Sequence, residues 1–355
     1  MSRFEKIAAK LPEYGIDAVL VTGAANRLYA TGFPSSAGAA LVTGKGSWFV
    51  TDCRYIEAAR KRITGAEIIE CTAERSTRKI LAGIVKEKGL KKVGFEERYM
   101  TVEEYRLWEK ELDCELADAN KLLMELRSAK EQGEIDCLIG AQRIAEKALT
   151  ETLDFIKAGR TEQEISAYLQ YRMLCGGAEK MSFEPIVVSG PNGSMPHGVP
   201  SAKPVAEGEF ITIDFGCVWG GYCSDTTRTV AVGHVTEEMD KVYHTVLQAQ
   251  LAGIAVAKAG ATGKAVHEAA AKVIGDAGYG AYFGHGFGHG VGVEIHEEPT
   301  ASERNAKPLP EGAVISAEPG IYIPGRFGVR IEDVLVITRD GNIDITEAPK
   351  ELIIL

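Results

Sequence analysis

The sequence predicts two domains: a small α/β domain over residues 1–127, then over 128–355 an α+β domain built on an antiparallel sheet. Three observations carry this expectation. The 355 residues exceed what a single hydrophobic core usually serves. The first third alternates short apolar runs with amphipathic stretches, whereas the remainder carries strands at hairpin spacing with helices between them. A polar segment, Glu125-Leu126-Arg127-Ser128-Ala129-Lys130, separates the two patterns.

In chain order, Ala18-Val19-Leu20-Val21, Ala39-Ala40-Leu41-Val42 and Trp48-Phe49-Val50 read as strands, with helical patterns over 77–88 and 101–110. A long helix is expected over 135–155, ending before Lys157-Ala158-Gly159. Thr161, with Glu164 three residues on, forms a capping box that opens a second helix reaching Leu174. After the loop Ser189-Gly190-Pro191-Asn192-Gly193, strands are expected over 210–215, 222–232, 313–317 and 328–337. Helices are expected over 237–257 and 263–277.

Hydrophobic residues make up 45% of the chain and charged residues 25%, the balance of an ordinary globular protein. Acids outnumber bases 50 to 40, for a net charge of -10, and no Lys/Arg block occurs, which argues against nucleic acid and anionic membranes as partners. No apolar run is long enough for a signal peptide or a membrane span, so a cytoplasmic location is expected. The seven cysteines form no CxxC pair and read as reduced thiols. Cys217 and Cys223 flank the acids discussed next and are taken as small core residues, because soft thiolates suit other metals than a hard oxygen set does.

The acids fall symmetrically. Midway between Asp214 and Asp225 lies the turn Trp219-Gly220-Gly221, and midway between Glu318 and Glu332 lies Pro324-Gly325-Arg326, so each pair is expected to face across a hairpin. Like charges so placed destabilise a sheet, more so beside Ile213, Phe215 and Ile331 where water is thin. A single such acid would ordinarily be a solvated strand residue or a salt-bridge partner. Two matched hairpins instead call for cations between them, and the oxygen donors with one imidazole suit two divalent ions. That imidazole comes from Gly284-His285-Gly286-Phe287-Gly288-His289-Gly290-Val291-Gly292, where alternate glycines permit close backbone approach. The stretch contains no GxGxxG, and Gly263-Lys264 lacks the rest of a phosphate loop. Of the other histidines, His197 in Pro196-His197-Gly198-Val199-Pro200, His285 and His296 concentrate near these blocks. His234, His244 and His267 read as ordinary surface or core residues.

Asp214-Phe215-Gly216, Ser224-Asp225-Thr226-Thr227-Arg228-Thr229, Gly286 to Gly292, Ile295-His296-Glu297, Glu318-Pro319-Gly320-Ile321-Tyr322 and Gly328-Val329-Arg330-Ile331-Glu332-Asp333 resemble the signature blocks of the pita-bread (creatinase/aminopeptidase fold) metallopeptidases. Within them the pattern is similar to the Xaa-Pro aminopeptidase and Xaa-Pro dipeptidase branch. Asn26-Arg27-Leu28-Tyr29-Ala30-Thr31-Gly32-Phe33 and Thr51-Asp52-Cys53-Arg54-Tyr55 extend the likeness to that branch's N-terminal domain, which methionine aminopeptidases generally lack. Creatinase and the non-catalytic relatives have lost the metal ligands; the set here is intact.

The resemblance implies two divalent ions per chain, Mn²⁺ first with Co²⁺ or Zn²⁺ as alternatives. Asp214 and Glu332 would bridge them, Asp225 would bind one, and His289 and Glu318 the other. By the same likeness His197, His285 and His296 line the substrate side and move protons, Glu318 serves as general base, and Arg330 steadies the network beside Glu332. The expected activity is release of the N-terminal residue from peptides with proline second, with an Xaa-Pro dipeptidase (prolidase) as the alternative. Arg304 or Lys307 are candidates for holding a dipeptide's carboxylate. Peptide substrates and a homodimer or higher homo-oligomer complete the expectation.

Overall fold

In the computed structural model, which describes residues 1–355, the run Ala18–Val21 forms β1 and is buried along its whole length. That burial follows from its place inside a mixed six-stranded sheet covered on both faces, the setting in which an unbroken apolar run is favoured over alternation. The other strands are β2 (Ala39–Thr43), β3 (Gly46–Thr51), β4 (Glu67–Glu70), β5 (Lys92–Phe95) and β6 (Glu115–Asp118), in the order β4-β3-β2-β1-β5-β6. Val19, Val21, Ala40, Val42 and Phe49 face α1 (Arg3–Lys10) and α2 (Ala24–Thr31). Leu20, Leu41, Trp48 and Val50 face the opposite way, against Ile80, Leu81 and Val85 of α4 (Thr77–Lys88) and Trp108 of α5 (Val102–Glu111), while α3 (Ile56–Arg62) packs on the first face through Ala59. These elements and α6 (Asn120–Ser128) make up a first compact unit, Met1–Arg127.

The second unit, Ser128–Leu355, opens with α7 (Gln132–Phe155) and α8 (Glu162–Cys175), the latter started by the Thr161/Glu164 capping box. Two short strands, β7 (Lys180–Met181) and β8 (Ile186–Ser189), lead to β9 (Phe210–Phe215). The next ones are β10 (Cys217–Trp219), β11 (Tyr222–Cys223) and β12 (Thr226–Ala231). Helices α9 (Glu237–Val256) and α10 (Gly263–Asp276) intervene before β13 (Gly288–Gly290), β14 (Glu297–Ala301), β15 (Val314–Ala317), β16 (Gly320–Ile323), β17 (Phe327–Arg330), β18 (Asp333–Ile337) and β19 (Asn342–Asp344).

The strands of this unit pair antiparallel, in sheets β12-β9-β8, β14-β13-β15-β18-β19, β11-β10-β7 and β16-β17, with one isolated parallel bridge from Ala231 to Ile354. Period-2 alternation along β9 sorts its side chains. Ile211, Ile213 and Phe215 pack with Leu149, Ile165 and Leu169 of α7 and α8, leaving Asp214 on the opposite face. A second core, with Val246, Ile274, Phe287, Ile315, Ile331 and Leu335, lies under α9 and α10.

Two strands expected to be continuous are broken. The chain leaves β11 at Ser224-Asp225 before entering β12, and leaves β17 at Ile331-Glu332 before entering β18. The first break is forced where backbones cross: a Cβ on Gly216 would lie 2.0 Å from the Ser224 carbonyl oxygen. The second occurs where the chain passes from the two-stranded β16-β17 ribbon into the five-stranded sheet, the Glu332 amide donating to Thr227 O at 3.0 Å.

Candidate metal centre and active-site cleft

Register decides which acids meet. In the β9-β12 pair Asp214 stands opposite Thr227, not Asp225, so the expectation of a directly opposed Asp pair is corrected by two residues. The Gly220-Gly221 turn is where it was expected, both glycines having positive φ, but Trp219 pairs with Tyr222 and so fixes the register. Asp225 reaches the same region from the break before β12. The other hairpin follows the expected register: Ala317 opposes Asp333 and Gly320 opposes Arg330, which brings Glu318 and Glu332 level between the two ladders.

His289 sits in the middle of β13, held between β14 and β15. Only glycine fits on either side of it: a Cβ on Gly288 would lie 1.9 Å from Ser316 O, and one on Gly290 would lie 2.5 Å from Glu297 O. Its Nδ1 is 3.1 Å from Gly290 O, a contact that needs the proton on Nδ1, so that the neutral ring offers its lone pair at Nε2. That Nε2 lies 3.2 Å from Glu318 Oε1 and 3.5 Å from Asp225 Oδ2. Ser316 Oγ accepts from the His289 amide at 3.0 Å and donates to Glu318 Oε1 at 3.0 Å, tying both side chains to β15.

Arg330, buried at the end of β17, donates from Nη2 to Asp214 Oδ2 at 2.6 Å and from Nη1 to Tyr322 Oη at 2.8 Å. Its Nε donates to Thr227 Oγ1 at 3.1 Å, and Thr227 Oγ1 donates to Glu332 Oε2 at 2.7 Å. Arg330 therefore touches Asp214 directly and Glu332 through Thr227. Tyr322 Oη lies 3.0 Å from His285 Nε2, and His285 Nδ1 lies 2.8 Å from Gly286 O. With Nδ1–H donating to that carbonyl, the tyrosine O–H donates to Nε2 and accepts from Arg330, giving a chain of aligned donors.

The electrostatics of this cluster are those of a cation site. Burial, reinforced by the neighbouring carboxylates, pushes Asp225 and Glu332 well above the usual carboxylate range. Burial also raises Asp214 despite Arg330. Burial works against a charged His289, but the Glu318 carboxylate overcomes it and lifts the imidazole to about 9. Glu318, whose burial acts the other way, is drawn down to about 2 by its hydrogen bond from His289. Ligand atoms of Asp225, His289 and Glu332 lie within 4.8 Å of one another. Asp214 Oδ1 is buried with no hydrogen-bond partner. An orphaned carboxylate oxygen and two acids that the protein alone cannot hold ionised fit divalent cations as their missing partners.

All the expected site residues line one cleft of about 570 Å³: Asp214, Asp225, His289, Glu318 and Glu332 at its floor, and His197, His285, His296 and Arg330 around it. His296 stands edge-on to His289, ring centroids 4.3 Å apart, and burial lowers its pKa and that of His285. Cys217 and Cys223 lie in the core, their thiols pushed up by burial to about 11 and about 12. Arg304 and Lys307 are exposed and do not line the cleft. Thr227, Ser316 and Tyr322 were not singled out in the sequence. Thr227 and Tyr322 left a trace there, as members of the Asp225 and Glu318 blocks.

A model of metallopeptidase family M24 matches residues 136–339, and one of the creatinase/prolidase N-terminal domain matches residues 3–129. The chain belongs to metallopeptidase family M24. The fold is the two-domain creatinase/prolidase arrangement, its second unit the pita-bread domain, and the M24 centre is one that depends on two metal ions. An Xaa-Pro dipeptidase of Pyrococcus horikoshii is 35% identical over 355 residues, covering 99% of this chain and 98% of that relative. Among solved structures, an Xaa-Pro dipeptidase from Bacillus anthracis superposes with a TM-score of 0.96 at 42% identity, covering 99% of both chains. An X-Pro aminopeptidase from Thermotoga maritima superposes with a TM-score of 0.92 at 36% identity, over 96% of this chain and 98% of that one. This M24 chain is thus a proline-directed metallopeptidase of the exopeptidase kind.

Proposed function

We propose that the protein is an Xaa-Pro dipeptidase that hydrolyses the bond preceding the proline of dipeptides, with Asp214, Asp225, His289, Glu318 and Glu332 as the ligands of its two metal ions. The observation that carries the hydrolytic part is the buried acid cluster with its orphaned Asp214 oxygen. What favours the dipeptide is that relatives matched from end to end bear that name. This reverses the preference for the aminopeptidase drawn from the sequence.

When bound, the two cations supply a hydroxide nucleophile at neutral pH and a Lewis acid for the scissile carbonyl. The chain's own residues do the rest. Glu318, ionised and beside the cleft, accepts the proton of the attacking water. Arg330 orients Asp214 and opposes the burial that raises its carboxyl. The amide nitrogen of an Xaa-Pro bond carries no hydrogen, so it must gain a proton as it leaves. His197, His285 and His296 are placed to deliver one, and Tyr322 fixes His285 through its Nε2.

One observation favours the aminopeptidase as a second reading. Arg330 is the sole Lys or Arg lining the cleft, and it is spent on Asp214, Tyr322 and the Pro196 carbonyl. A dipeptide's carboxylate would then be met by the hydroxyls of Thr300 and Ser302 and by the histidines, without a guanidinium of its own. The deciding assay compares kcat/KM for an Xaa-Pro dipeptide, its C-terminal amide and an Xaa-Pro tripeptide. The dipeptidase reading expects the free dipeptide to win by more than about tenfold, because a charged hydrogen bond contributes about 1.5 to 3 kcal/mol. Equal or better cleavage of the tripeptide would establish the aminopeptidase instead.

A further inference from the structure

Glu162, the first residue of α8, is fully buried, yet it neither lines the cleft nor pairs with a Lys or Arg. Its carboxylate is instead saturated by donors from the two feet of one loop. Oε1 accepts from the Ser189 amide at 2.7 Å and the Ser189 hydroxyl at 2.9 Å. Oε2 accepts from the Ser201 amide at 3.0 Å and the Ser201 hydroxyl at 2.7 Å. Asn192 Nδ2 reaches both oxygens, at 3.1 and 3.2 Å. The residues between those feet include His197, which lines the cleft beside His285 and His296.

The far side of the loop is tied to the catalytic hairpin. Arg330 Nη1 donates to Pro196 O at 3.3 Å, and the Gly325 amide donates to Ser194 Oγ at 3.2 Å. A Cβ on Gly328 would sit 2.1 Å from Gly193 O, so the two backbones are in contact there. The loop is therefore pinned at its feet by one buried carboxylate and at its crest by the β16-β17 ribbon.

We propose that Glu162 is a positioning residue of the reaction, clamping Ser189 and Ser201 so that the exposed His197 is held over the acid cluster. The proposal rests on the proline-peptidase reading for its consequence in turnover, but not for the clamp itself. A glutamine at 162 cannot replace it. Each oxygen of the carboxylate receives one backbone N–H, and whichever end of the amide carries the NH₂ opposes an N–H that has no freedom to rotate away. One foot is released in either orientation.

The test combines a double-mutant cycle with hydrogen exchange on the full, metal-loaded chain. Glu162→Gln is expected to keep its metal content and to lose about 10²-fold in kcat with little change in KM, the penalty of a misplaced group. In a His197→Ala background the same substitution should cost less than about threefold, since the two act as one unit. A loss that is equally large in both backgrounds would make Glu162 a general structural residue and overturn the proposal. Glu162→Asp keeps the charge and all acceptors, and should recover part of the kcat even if the glutamine variant folds poorly. Failure of the aspartate to exceed the glutamine would also count against the clamp. Independently of turnover, amides 189–201 should exchange faster in Glu162→Gln while those of β9 stay protected, and unchanged exchange in the loop sinks the idea. If the parent cleaves no Xaa-Pro peptide, the functional reading falls, and the exchange experiment still decides the clamp.

Discussion

The histidines of the cleft are held differently. His289 is bound through Nδ1 to its own strand's Gly290 carbonyl and turns Nε2 to the acids, whereas His285 is bound through both nitrogens and His197 stands exposed on a loop. Ligand and proton carrier should therefore separate under mutation. Asp225→Asn removes one charge from a buried cluster whose chief positive partner is metal, and is expected to lower metal content below two ions per chain. His197→Ala is expected to keep both ions and lose about 10² to 10⁴ in kcat. Elemental analysis beside single-substrate kinetics distinguishes the two, and a fully active His197→Ala would reduce that residue to a turn position. The acids and histidines were legible in the sequence because glycine-rich and proline-rich blocks surround them. Thr227 and Ser316 were not, because a polar residue in a strand gives no sign of its partner until register is known. Glu162 looked like an ordinary first-turn acid of a capped helix, and only the fold shows that its carboxylate turns inward to a loop 27 residues further on.

Among elements, the β17-β18 break is where the site and the scaffold share residues. Glu332 turns to Asp225 and His289, and its neighbour Asp333 turns the other way, wholly buried. There Asp333 accepts from Arg228 Nη2 at 2.7 Å, Gln250 Nε2 at 2.8 Å and Lys350 Nζ at 2.7 Å. Arg228 also donates to the carbonyls of Glu332, Ala348 and Pro349, so one guanidinium joins β12, the ligand break and the C-terminal segment. Asp333→Asn would leave the buried Arg228 without its counter-charge, Lys350 keeping Asp344 at 2.6 Å, and removing one partner of a buried ion network costs about 3 to 5 kcal/mol. For a unit of this size that corresponds to a fall in Tm of about 6 to 20 °C. Thermal unfolding in the presence of chelator, which removes any metal contribution, checks it; a midpoint within about 2 °C of the parent would show the network to be dispensable. The two hairpins also show where sequence reasoning stops. Turn residues located both bends, and the 318/332 register followed from its turn. In the other hairpin, centring the turn on Trp219-Gly220-Gly221 missed the register by two residues, because Trp219 is itself paired with Tyr222 and the bend is Gly220-Gly221 alone, a register that carries through to Asp214 opposite Thr227.

For the whole molecule, the two-part organisation was legible from periodicity alone, and the class of chemistry from the acids. What periodicity left open was how far the protein depends on its ions, and the burial of the acids answers that with a pH dependence. Burial raises the carboxyls of Asp225 and Glu332 above their unfolded values, and His289 is raised to about 9. A group whose folded pKa is raised gives stability that is full below its unfolded pKa and is lost as pH rises through the folded one. Without metal, the two carboxyls therefore weaken the fold as pH rises above about 4, and the stabilisation from His289 is lost between 6.5 and about 9. Glu318, drawn down to about 2, opposes this only at the acid end, where its unfolded carboxyl still titrates near 4.5, and above that it is ionised in both states and contributes nothing to the slope. Cations displace the protons from the same ligands and remove the penalty, so the stabilisation by metal should itself grow with pH. The expected result is a gap in Tm between Mn²⁺-loaded and chelated protein that is small at pH 5 and widens steadily to pH 8.5, with protons released on titrating metal into the chelated protein at pH 7. A gap that stays constant, or narrows as pH rises, would mean that the buried acids are balanced by the protein's own cations and that the centre is not built around metal.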